Sequence, residues 1–247
     1  MDRRIRGILF DLGDTLLHFG KVDVRGMFEA GARLAYAYLV HLEQPVPSFG
    51  TYHRRQLRAI RWNYLLSRLT GREFNALTLI RRFARRMGHE LTDEQFIELA
   101  WLWYKPLSDA ATVEDGAVET LRKLNELGIT LGVISNTFVP GEVLDRHLAR
   151  EGMLELLPVR VYSCNVRHRK PSRRIFRIAL ERTGLDACEV AFVGDSPKAD
   201  VRGANRAGLV SILKDPIGRH ADGRIRPDYV IRKLSELTGI VERHNAG

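Results

Sequence analysis

Three short apolar runs, each ended by acidic, hydroxyl or amide side chains, constrain this chain more than any other feature. Ile8-Leu9-Phe10 stops at Asp11-Leu12-Gly13-Asp14-Thr15, Leu131-Gly132-Val133-Ile134 stops at Ser135-Asn136-Thr137, and Val190-Ala191-Phe192-Val193 stops at Gly194-Asp195-Ser196. A strand that is apolar along its whole length is buried on both faces, as in a parallel sheet covered by helices. The sequence after Ala111 supplies those helices. Residues 117–127, 141–151, 172–183 and 200–207 carry helical spacing and alternate with strands at 130–134, 159–162, 190–193 and 210–213. A final pair of elements falls around Tyr229-Val230 and 233–237. Alternating strands and helices of about ten residues specify an α/β fold.

Between roughly residues 22 and 108 the texture differs. Met27, Leu34 and Tyr38, then Leu57, Ile60, Tyr64 and Leu65, recur at helical spacing, with breaks at 45–50, 70–71 and 88–92. Four helices are expected, the last opening on Thr92 with Gln95 three residues on, a capping-box spacing. The predicted architecture is an α/β domain, a parallel sheet with helices on both faces, residues 1–17 and 112–247. An all-helical domain, 18–111, interrupts it just after the first strand. Trp62, Tyr64, Trp101, Trp103 and Tyr104 are expected in the core of that insert, and Arg167-His168-Arg169 on a basic surface loop.

With 247 residues, 45% of them hydrophobic and 28% charged, the chain has ample material for a core, which excludes disorder. Two cysteines, Cys164 and Cys188, make no disulfide framework or metal-binding spacing and point to a reducing compartment. Arg3, Arg4 and Arg6 precede an apolar run as in a signal peptide, but Asp11 and Asp14 end that run far too early. No stretch reaches the roughly 18 apolar residues of a membrane span, so a cytoplasmic protein without a membrane partner is expected. The net charge of +9 raises the question of nucleic acid. Yet 32 of the 39 basic residues are arginines interleaved with acids, no nucleic-acid motif accompanies them, and no such partner is expected. From His18 to Thr112 the chain holds 14 basic against 9 acidic residues, an excess suited to drawing in an anionic substrate.

In an open parallel sheet, ligands bind beyond the carboxyl ends of the strands. Asp11, Gly13, Asp14, Ser135, Asn136 and Asp195 stand at those ends, with Asp200 five residues past Asp195 and Lys170 in the preceding loop. Clustered carboxylates without His or Cys favour Mg²⁺, a hard cation that takes oxygen ligands. A carboxylate beside such a cation can attack a phosphate and form an aspartyl-phosphate. Ser135 and nearby backbone amides can hold phosphate oxygens, and Lys170 can neutralise the crowded charge.

In their order and spacing, Phe10-Asp11-Leu12-Gly13-Asp14-Thr15-Leu16, Ile134-Ser135-Asn136, Lys170-Pro171 and Val193-Gly194-Asp195-Ser196 with Asp200 resemble the four motifs of the haloacid dehalogenase-like hydrolases. The helical insert lies where that family carries a cap, and the resemblance implies a Rossmann-like core sheet. The resemblance implies a Mg²⁺-dependent phosphatase of small phosphorylated metabolites. Asp11 would be its nucleophile, Asp11, the Gly13 carbonyl, Asp195 and Asp200 its metal ligands, and Ser135, Asn136 and Lys170 its phosphate contacts. One departure stands out: phosphatases of the family usually carry an acid/base Asp two residues after the nucleophile, where this chain has Gly13. Asp14 is then the candidate to move the proton. Alternatives are substrates whose leaving group needs no proton, such as acyl or aryl phosphates, a weakly active or non-catalytic protein, or a 2-haloacid dehalogenase.

Overall fold

The computed structural model describes residues 4–20, 23–220 and 223–246; Arg3 of the basic N-terminal group and Val22, at the expected start of the helical stretch, lie outside the described residues. In chain order the elements are β1 (Gly7–Phe10), β2 (Leu17–His18), α1 (Val24–His41), α2 (Phe49–Thr70), α3 (Ala76–Met87), α4 (Asp93–Ala110), β3 (Thr112–Val113), α5 (Ala117–Glu126) and β4 (Thr130–Ser135). There follow α6 (Gly141–Arg150), β5 (Val159–Tyr162), α7 (Ser163–Val166), α8 (Arg173–Thr183), β6 (Val190–Gly194), α9 (Arg202–Ala207), β7 (Val210–Lys214), β8 (Tyr229–Ile231) and α10 (Leu237–Ala246).

Six strands form one parallel sheet in the order β5-β4-β1-β6-β7-β8. The chain winds outward from β1 through β4 to β5, then returns beside β1 and winds the other way, so the reversal falls at the carboxyl end of β1. Phe10 is in register with both Val133 and Val193, which brings Asp11, Ser135 and Asp195 out at nearly one level. Both faces are buried, which explains the unbroken apolar runs. Leu9, Ile134, Val161 and Phe192 pack under α8 and α9 against Ile175, Phe176 and Ala204. Phe176 and Phe192 meet edge to face at 5.1 Å. Ile8, Phe10, Leu131, Val133 and Val193 face α5, α6 and α10 through Leu121, Leu124, Leu148 and Ile240.

The four helices α1–α4 leave the sheet through β2 and return through β3. These two linkers pair antiparallel, Leu17 opposite Val113 and His18 opposite Thr112. Beneath them lies a fully buried lysine, Lys214, at the end of β7. Its Nζ donates to Glu114 Oε2 at 2.7 Å and to the carbonyls of Asp14 and Thr15 at 3.3 Å, while His18 Nε2 meets the same Glu114 carboxylate. Burial opposes ionisation of Glu114, but the hydrogen bonds from Lys214 and His18 prevail and hold its pKa below the usual value.

The expected start of α4 is present as a capping box, with Thr92 N donating to Gln95 Oε1 at 2.9 Å and Gln95 N to Thr92 Oγ1 at 3.3 Å. Other expectations need correction. The segment 233–237 is a single 3₁₀ turn, Leu234–Glu236, that leads into α10. Trp62 and Tyr64 are exposed on α2, whereas Trp101 and Tyr104 of α4 are buried. Among the described residues no helix is long and apolar enough to cross a membrane.

Candidate active site

Asp11 follows the last residue of β1, where the strand leaves the sheet. Its backbone N–H donates to Val193 O at 2.8 Å, and its Oδ1 accepts from Leu12 N at 2.7 Å. Lys170, 4% exposed, reaches it from the loop before α8. Lys170 Nζ stands 2.8 Å from Asp11 Oδ1 and 2.8 Å from Asp200 Oδ1, over the ring of Phe192. Asp200 lies fully buried in the wide helical turn Pro197–Val201 that runs into α9, and its Oδ2 accepts from Ser196 N at 2.9 Å. Gly194 makes this placement possible, because a Cβ there would lie 2.6 Å from the Cβ of Asp200. Asp195 completes the group: one carboxylate oxygen each from Asp11, Asp195 and Asp200 lies within 4.8 Å of the others.

Three carboxylates and one ammonium carry a formal charge of −2, which a divalent cation would balance, and every donor is oxygen, as Mg²⁺ requires. The titration of the group tells the same story. Burial, with Asp200 adding to it and Lys170 opposing it, pushes Asp11 up to about 7. Burial and then the charges of Asp200 and Asp14 raise Asp195. Lys170 is raised as well: burial works against its charge, and the two carboxylates more than offset it.

Asn136, just past β4, braces Lys170. Its Oδ1 accepts from Lys170 N at 2.7 Å and its Nδ2 donates to Lys170 O at 3.1 Å. Ser135, buried at the end of β4, lines a cleft of about 300 Å³ together with Asp11, Gly13 and Asn136. Asp14 is not gathered into this group. Its backbone is left-handed at φ 55°, its side chain is 66% exposed, and its Oδ1 is 3.9 Å from His18 Nδ1. A built Cβ at Gly13 meets nothing closer than the Phe19 ring at 3.6 Å.

The structure overturns the expectation that Arg169 belongs to a basic surface loop. Its guanidinium pairs with Glu73, a buried residue of the turn between α2 and α3, and also donates to Ser67 Oγ at 3.0 Å. Ser67 Oγ donates to Glu73 Oε1 at 2.8 Å and Ser163 Oγ to Glu73 Oε2 at 3.2 Å, so one carboxylate joins α2 of the insert to the sheet's edge. Ala76 N donates to Phe138 O at 2.8 Å beside it, and Phe74 stacks on Phe138 at 5.1 Å. Sequence reasoning missed Glu73, although a signal exists: it is the sole acid between Glu43 and Glu90, in a stretch rich in arginine. Cys164 is the expected buried thiol. Burial, together with the nearby charge of Glu73, pushes it up to about 12, far from a reactive thiolate.

Residues 5–208 match the family of haloacid dehalogenase-like hydrolases. A glyceraldehyde 3-phosphate phosphatase of Methanopyrus kandleri is 27% identical over 96% of this chain and 97% of its own length. Among solved structures, a 2-haloacid dehalogenase from Pseudomonas syringae superposes with a TM-score of 0.64 at 23% identity, over 97% of this chain and 99% of that one. A haloacid dehalogenase-like phosphatase from Thermococcus onnurineus does so with 0.60 at 23% identity, over 96% and 98%. These two superpositions establish a shared fold, and the match over most of the chain establishes the kinship: this protein belongs to the haloacid dehalogenase-like hydrolases.

Proposed function

We propose that the chain is a Mg²⁺-dependent phosphatase of small phosphorylated molecules that works through an aspartyl-phosphate on Asp11, with the helical insert, 18–111, serving as its cap. The observation that carries this reading is the placement of Lys170 Nζ 2.8 Å from both Asp11 and Asp200, with Asp195 alongside. Asp11, Asp195, Asp200 and the Gly13 carbonyl would hold the cation. Bound there, Mg²⁺ supplies charge neutralisation and polarises a phosphoryl oxygen.

The chain's own residues do the rest. Asp11 attacks phosphorus with a carboxylate oxygen; an O–P bond forms and the bond from phosphorus to the leaving oxygen breaks. Lys170 favours the ionised form of Asp11 against the effect of burial and stabilises charge on the transferring group, held in place by Asn136. Ser135 orients the phosphoryl oxygens. Water then cleaves the acyl phosphate, releasing phosphate and restoring Asp11. With glycine at position 13 and Asp14 turned outward, the leaving oxygen is protonated by solvent or departs as an anion.

The test is phosphate release from a panel of phosphate esters and acyl phosphates with Mg²⁺, beside Asp11→Asn. Release that requires Mg²⁺ and Asp11 is expected. The same background in both proteins would sink the reading, and halide release from a 2-haloacid persisting in EDTA would replace it with dehalogenation.

A further inference from the structure

An apolar chamber of about 130 Å³ lies inside the helical insert, closed on one side by residues 138–140. Met27 and Phe28 of α1, Leu79 of α3 and Trp103 of α4 form much of its wall. It shares Tyr104, Leu107, Phe138 and Val139 with the cleft that contains Asp11 and Ser135, so the two spaces abut across these four side chains. Tyr104 presents its ring there, since its hydroxyl is hydrogen-bonded to His147 Nδ1 at 2.8 Å. One polar group breaks the apolar lining. Gln56 of α2 lines the chamber, where its amide opens on the cavity. An amide that opens on an otherwise apolar wall offers a hydrogen bond to a polar group of whatever enters the cavity.

From these features we infer that the substrate's leaving group is an apolar, ring-sized body with one hydrogen-bonding group, as in a phosphomonoester of a substituted phenol. The inference rests on the phosphatase reading and deepens it. Phosphate would lie at Asp11 and Ser135, the ring would pass the shared wall into the chamber, and its polar substituent would reach Gln56. The size fits, because an apolar protein cavity of about 150 Å³ accepts benzene. The chemistry fits as well. A phenolic oxygen, with a pKa of about 10, departs as an anion far more readily than an alkoxide, which suits a site with glycine at position 13.

The experiment joins turnover to binding. Phosphate release from 4-hydroxyphenyl phosphate and from glycerol phosphate is compared in wild type, Ala100→Leu, which fills the chamber, and Gln56→Leu, which keeps its apolar volume but removes the amide. In parallel, binding of free hydroquinone is followed by ligand-observed NMR. The aryl ester is expected to lead in kcat/KM by at least about tenfold, with that lead lost in Ala100→Leu while the glycerol phosphate rate is retained. Hydroquinone should bind wild type and be weakened about fivefold in Gln56→Leu. Failure of hydroquinone to bind wild type, or an aryl preference unchanged in both variants, overturns the inference. If neither ester is hydrolysed but hydroquinone binds in the manner described, the phosphatase reading falls and the assignment of the chamber's ligand stands.

Discussion

Restoring a carboxylate at position 13 should reveal what its absence costs. Gly13 has an ordinary backbone conformation, and a Cβ built on it meets only the Phe19 ring, at 3.6 and 4.0 Å, both ordinary contacts. Gly13→Asp is therefore expected to fold without strain, with its carboxyl beside the cleft that Gly13 already lines. The native Asp14 is 66% exposed, with its Oδ1 3.9 Å from His18 Nδ1. General acid–base assistance is typically worth about 10²–10⁴ in rate. The variant should gain about 10²-fold or more on an alkyl ester such as glycerol phosphate, whose leaving oxygen must be protonated. The gain should shrink to a few-fold on an aryl ester, whose leaving group departs unaided. Single-turnover phosphate release with Mg²⁺ measures both, and the double variant with Asp14→Asn shows whether the outer carboxylate contributes. A folded Gly13→Asp protein with no gain on the alkyl ester, or an equal gain on both esters, would refute the argument that proton transfer limits this site.

Three further perturbations test the packing and charge around the site. Lys170→Met leaves Asp11 and the fully buried Asp200 facing each other without a cation; loss of activity is expected, with about 3–5 kcal/mol of destabilisation in urea unfolding at pH 8 without Mg²⁺. Because the carboxylates left behind hold protons more tightly when folded, the deficit should narrow at pH 5, and equal stability at pH 8 would contradict it. His147 is buried against Tyr104, and burial, reinforced by Arg150, lowers its pKa to about 4. The unfolded chain thus binds the extra proton between about pH 6.5 and 4, and folding stability should fall across that window by up to about 3 kcal/mol. His147→Gln should lack this component, as unfolding midpoints at pH 7 and 4.5 would show. Glu73→Gln leaves Arg169 without its counter-charge; a loss of about 3 kcal/mol, or roughly 6–12 °C in Tm for a chain of this size, is expected, and an unchanged Tm would mean that the Glu73 contact does not hold the insert.

The sheet was legible because burial on both faces leaves unbroken apolar runs, and the polar residues that end them mark the functional edge. Asp11, Ser135 and Asp195 thus declared themselves through position alone. What escaped depends on contacts made across long stretches of chain. Lys214 reads as the polar end of a strand, yet it is fully buried because the linkers after β1 and before α5 close over it. Arg169 reads as one of a basic trio until Glu73, 96 residues away, meets it. Asn136 was readable as a residue at a strand end, but its brace on the Lys170 backbone exists only once two loops meet. The linker strands β2 and β3 have two residues each, too few for a period, and α10 carries Gly239 and a weak apolar pattern. Gln56 is hidden among the arginines of α2, and nothing in its neighbours distinguishes an amide turned inward from one in water.

Gly194 sets a limit that reaches beyond its own position. Since the carboxylate of Asp200 occupies the space where any side chain would begin, a library of all twenty residues at this codon, selected for function, should return glycine alone. The substitutions it rejects should fail by displacing Asp200, so that a residue with no reactive atom behaves in a genetic screen like one of the acids.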